Sequence, residues 1–69
     1  MLGATEIIKL TQAIGYIKDS LDAAENRVVG LIQSQGEEVA NTCEETYVDF
    51  EDIITHSKSA MEILGEEFE

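Results

Sequence analysis

The sequence predicts an all-α protein: an antiparallel two-helix hairpin that dimerises into a four-helix bundle. Three observations predict it. Apolar residues recur in heptads through two long segments, the register breaks once between them, and a chain of 69 residues is too short to bury both stripes by itself. The alternative is one long continuous helix in a coiled coil. A register change can be a stutter, and an exposed mid-helix glycine costs only ~1 kcal/mol.

The first segment carries the strongest signal. Ile7, Leu10, Ile14, Ile17, Leu21, Ala24, Val28 and Leu31 step by three and four, so every a and d position of four heptads is apolar. Ile7, Leu10, Ile14, Ile17, Leu21, Val28 and Leu31 are the expected oligomer seam. A partial second stripe, Ile8, Ala13, Val29 and Ile32, widens the face beyond a two-stranded coil and toward a bundle. Tyr16 falls at an outward position. Gly15 and Gly30 lie inside this helix, where they either allow close approach or, for Gly30, end it early.

The second segment restarts out of phase. Ala40, Tyr47, Ile54, Met61 and Phe68 are seven apart, with Cys43, Phe50, Ser57 and Leu64 between them. The frame of the first segment would put core residues at Gln35, Glu38, Thr42 and Glu45, all polar. Turn chemistry marks the break: Gly36 can adopt the left-handed conformation, and Ser34 with Glu37 spells a capping box. The expected elements of this single domain (residues 1–69) are helix 1 about 4–32, a turn about 33–36, helix 2 about 36–65 and a frayed acidic tail 66–69. Phe50, Ile54, Met61 and Leu64 are expected inside.

Composition bounds the chemistry. One cysteine and one histidine exclude a disulfide within the chain and a four-ligand zinc site, so oligomerisation is the remaining way to stabilise so small a fold. The formal charge of −11 argues against direct contact with nucleic acid or an anionic membrane. Its distribution is lopsided: residues 1–36 carry −1, and residues 37–69, with Lys58 their only base, carry −10. Apolar runs are far shorter than the ~20 residues that span a bilayer, and the start lacks the pattern of a signal peptide. A cytoplasmic location, of the cell or of an infected host, is the expectation. Export by a non-classical route is the alternative.

No enzyme, cofactor or metal is expected. Cys43 and His56 are thirteen residues apart, roughly 20 Å along a helix, too far for a nucleophile and its base. Cys43 is expected in the core as an inert thiol. Glu45, Asp49, Asp52 and His56 share one outward helix face, which reads as a solvated acidic surface with His56 donating to Asp52. The pairs Glu45/Asp49 and Glu62/Glu66 repel at i,i+4, so the acids are not there for helix stability. Glu38, Glu45, Asp49 and Asp52 are the expected partner-binding face, docking a basic protein surface as an imitation of a phosphate track. The second expected partner is another copy of the chain.

Two resemblances accompany this reading. In composition the chain is similar to small acidic helical inhibitors encoded by phages. In plan it resembles the Trp-x-Gly helical hairpins exported by type VII secretion, and Tyr47-Val48-Asp49-Phe50-Glu51 matches their Tyr-x-x-x-Asp/Glu pattern, although their Trp-x-Gly turn is absent. That likeness implies a structural or secreted hairpin dimer as the alternative function.

Overall fold

A computed structural model describes residues 2–68. Two helices account for nearly all of them: α1, Ala4–Gly30, and α2, Glu37–Phe68. No strand occurs among the described residues. The helices pack side by side into a rod of 51 × 17 × 13 Å, about the length of α2 itself at 1.5 Å per residue. The chain is therefore a helical hairpin, and the continuous-helix alternative is set aside.

The corner forms where the register breaks. α1 ends at Gly30, and the Leu31 amide still bonds back to the Arg27 and Val28 carbonyls. Gly36 has φ 61°, the left-handed region that costs a residue with a Cβ about 1–2 kcal/mol. The Ser34 hydroxyl donates to the Gly30 carbonyl at 3.0 Å, so it closes α1 rather than boxing the start of α2. Glu37 and Glu38 fill the first turn of α2, where carboxylates complement the helix dipole. At the far end α2 runs through Gly65 to Phe68, so residues 66–68 are helical where fraying was expected; Glu69 lies outside the described residues.

The seam between the helices mixes small side chains with part-covered aliphatic ones. The seam runs along Leu10, Ala13, Ile17, Ser20, Ala24 and Arg27 of α1, with Leu31 just past its end, and along Val39, Thr42, Thr46, Asp49, Ile53, His56, Ala60 and Ile63 of α2; Glu6, Ala23, Ser57 and Gly65, also part-covered, lie beside it. Both sets keep a strict three-four spacing. Ala13 (6% exposed) and Ala24 (2%) are the buried apolar residues, and buried Thr46 is satisfied by donating to the Thr42 carbonyl. Small residues at these positions let the helices approach closely.

This seam divides the residues expected to line the oligomer interface. Leu10, Ile17 and Leu31 of the expected oligomer seam point into the hairpin, whereas Ile7, Ile14, Leu21 and Val28 are each about half exposed in the single chain. On α2 the expected inner residues Phe50, Ile54, Met61 and Leu64 are exposed, and so is Cys43. The physical reason is that two stripes are neighbours on each helix, and the hairpin closes on the one that includes the small residues Ala13, Ala24 and Thr46.

Candidate functional site: an apolar face opposite an acidic flank

The large stripes of the two helices converge on one side of the rod. Each successive residue turns about 100° around a helix, so a residue four after a seam position is displaced about 40° in the sense of increasing number. Ile14, Leu21 and Val28 stand four after Leu10, Ile17 and Ala24; Cys43, Phe50, Ser57 and Leu64 stand four after Val39, Thr46, Ile53 and Ala60. Because the helices are antiparallel and face each other, equal displacements of this kind carry both stripes to the same face. Tyr47, Ile54 and Met61, four residues further on, form the outer shoulder of α2 on that face.

Contacts on the opposite flank fix both the sidedness and the level. Tyr16 and Glu45 stand four before the seam residues Ser20 and Asp49. There the Tyr16 ring stacks on His56 with centroids 4.7 Å apart and planes 21° from parallel. The Arg27 Nε lies 3.1 Å from Glu45 Oε2. Residues whose numbers add to about 72 are therefore level, which sorts the apolar face into four tiers: Val28 with Cys43, Leu21 with Phe50, Ile14 with Ser57, and Ile7 with Leu64.

The expected acidic face divides on inspection. Glu38, Glu45 and Asp52 are exposed and line the flank away from the apolar face. Asp49 does not: it is 8% exposed within the seam, where the Arg27 guanidinium donates to its carboxylate. The hydrogen bond to Asp49 holds the Arg27 pKa above its ordinary value against the opposing effect of desolvation, with the charges of Asp49 and Glu45 adding to it. One guanidinium thus bridges the two carboxylates whose i,i+4 repulsion the sequence advertised. His56 leaves the acidic stripe to stack on Tyr16, which in turn gives Tyr16 a partner inside the hairpin.

Sequence reasoning overlooked Arg27 as an anchor. The available signal was its phase: Arg27 falls seven after Ser20 and fourteen after Ala13, on the same stripe. Among the described residues no group of three or more His, Cys, Asp or Glu is placed to hold a metal ion, and no helix is long and apolar enough to cross a membrane. The hollows beside Arg27 and beside Met61 are open to solvent rather than enclosed.

Comparison with protein-family models, with curated proteins and with solved structures returns no match.

Proposed function

We propose that the protein is a non-enzymatic interaction module that assembles with a second copy through its apolar face and presents its acidic flank to a basic surface of another protein. The observation that carries this reading is the two-sidedness of the hairpin. Nine of its exposed large apolar side chains stand on one face: Ile7, Ile14, Leu21 and Val28 from α1, and Tyr47, Phe50, Ile54, Met61 and Leu64 from α2. Aromatic side chains carry about 150–250 Å² each and aliphatic ones less, so at roughly half exposure the nine leave on the order of 800 Å² of mainly apolar surface. Patches on monomers are typically about 300–600 Å², and one partner of a stable complex covers about 800 Å². A hairpin whose own buried apolar residues are two alanines gains most of its core by covering that face.

Self-association leaves Glu38, Glu45 and Asp52 outward, on the far side of each hairpin. Carboxylates spaced along a rod of about this length suit a groove lined by Lys and Arg, the surface that binds nucleic-acid phosphates. The lone cysteine fits action in the reducing cytoplasm.

Native mass measurement tests the first half, with twice the chain mass expected at micromolar concentration. A monomer there removes the proposal. For the second half, Glu38→Lys with Asp52→Lys is the informative variant, since both side chains are exposed and neither lies in the seam. It should abolish salt-sensitive capture of a basic partner from the source cell while leaving helicity intact. Undiminished capture would reduce the acidic flank to a solubility device.

A further inference from the structure

We infer that the second copy docks with its corner at the opposite end of the rod, so that α2 lies antiparallel against α2 and α1 against α1. This rests on the self-association proposed above and adds the arrangement. A two-fold axis can bring two such faces together in two ways. With corners at the same end, α1 of one copy lies across from α2 of the other. With corners at opposite ends, like helices meet.

The shoulders of the face distinguish them. The shoulder of α2 is Tyr47, Ile54 and Met61, exposed by 66%, 54% and 68%. The equivalent shoulder of α1, four residues after Ile7, Ile14 and Leu21, is Thr11, Lys18 and Glu25, all exposed, with Ile32, four after Val28, lying past the helix end in the corner. Same-end docking would set the apolar shoulder against the charged one and strand Lys18 and Glu25 beside apolar partners. Opposite-end docking brings the apolar shoulders together, Ile54 against Ile54 at the axis and Tyr47 against Met61. Aromatic–thioether contact of that kind is favourable in its own right. The polar shoulders of α1 then meet in solvent.

The tiers give the same answer independently. Counted in side-chain heavy atoms, they hold five (Val28, Cys43), eleven (Leu21, Phe50), six (Ile14, Ser57) and eight (Ile7, Leu64). Same-end docking doubles each tier, leaving an overfilled layer between two underfilled ones. Opposite-end docking joins the bulkiest tier to the Ile14–Ser57 tier and the leanest to the Ile7–Leu64 tier. The resulting layers are nearly even, as a close-packed interior requires.

Charge opposes this arrangement, because it makes the two acidic helices neighbours. The opposition is weak. Glu38, Glu44, Glu45, Glu51 and Asp52 are exposed off the face, on the flank and back of α2, where salt screens charge with a Debye length of about 8 Å at physiological ionic strength. Burial and packing of the face decide the outcome.

The test places a nitroxide at the corner: Gln35→Cys in a Cys43→Ser background, with the distance between the two labels in the dimer read by pulsed electron resonance. Gln35 is exposed in the turn, and the rod is 51 Å long. The expected separation is close to that length. A dimer whose labels lie within ~20 Å overturns the arrangement and leaves self-association standing, whereas a monomer in native mass removes both. A second variant guards against label effects. Ile54→Cys in the same background is expected to link into a disulfide dimer under mild oxidation, and no such link in a dimeric protein counts against like-helix docking.

Discussion

The Arg27 guanidinium of α1 donates to the Asp49 carboxylate of α2 across the seam between the helices. This pair sits within one turn of Glu45, which the same guanidinium also holds. It favours the observed stagger of the two helices: sliding either by two turns, about 10 Å, would take Asp49 out of reach and leave a carboxylate in the seam without a donor. The contact is thus a register device for the hairpin.

Breaking the pair from one side should be worse than removing it. Arg27→Ala leaves Asp49 confined without its donor and is expected to lower the thermal midpoint clearly. Arg27→Leu combined with Asp49→Leu replaces the pair by apolar packing and should recover much of the loss, since such exchanges are often neutral or stabilising. Melting curves followed by circular dichroism decide it. An Arg27→Ala protein that melts with the wild type would show that the pair does not hold the register.

Two glycines should respond in opposite directions. Gly36 has φ 61°, so Gly36→Ala forces a side chain into the left-handed region and is expected to destabilise by about 1 kcal/mol. Gly15 lies mid-helix, with nothing within 4 Å of an added Cβ, so Gly15→Ala should stabilise by about 0.5–1 kcal/mol. Denaturant titration of both variants checks the signs. Equal effects would contradict the conformation of the corner.

The heptad rhythm and the corner at Gly36 were legible in the sequence because period and turn chemistry are local. Which of two adjacent stripes faces inward was not. Hydrophobicity ranks Ile14 above Ala13 and Phe50 above Thr46, yet the hairpin closes on Ala13 and Thr46. Apolarity says that a side chain will be covered, not whether the cover comes from its own chain or another. Asp49 was misplaced for the same reason: its burial depends on Arg27, twenty-two residues away, and no local pattern carries that pairing.

Salt should strengthen the assembly. α2 carries nearly all of the net charge, and its exposed carboxylates repel along the helix and, in a dimer, between copies. Raising sodium chloride from ~0.05 to ~0.5 M shortens the Debye length about threefold and should raise both the thermal midpoint and the dimer fraction. The Arg27 pair is weakened by the same screening, but it is one site against many. A midpoint that falls with salt would mean that ion pairing, not repulsion, dominates the electrostatics of the fold.

The neighbours Ala13 and Ile14 separate the hairpin from the assembly. Ala13 is 6% exposed in the seam, so Ala13→Leu overpacks it and is expected to destabilise by about 1–3 kcal/mol, a loss that persists on dilution. Ile14 is 51% exposed on the apolar face, so Ile14→Asp puts a charge where the second copy is proposed to sit. Binding of a second copy makes the thermal midpoint rise with protein concentration. The wild type and Ala13→Leu should both show that rise. Ile14→Asp should not: it should be monomeric and lose helicity, because the seam it retains holds only two fully buried apolar residues, both alanine. An Ile14→Asp protein that stays dimeric, with a midpoint still dependent on concentration, would place the assembly on some other surface.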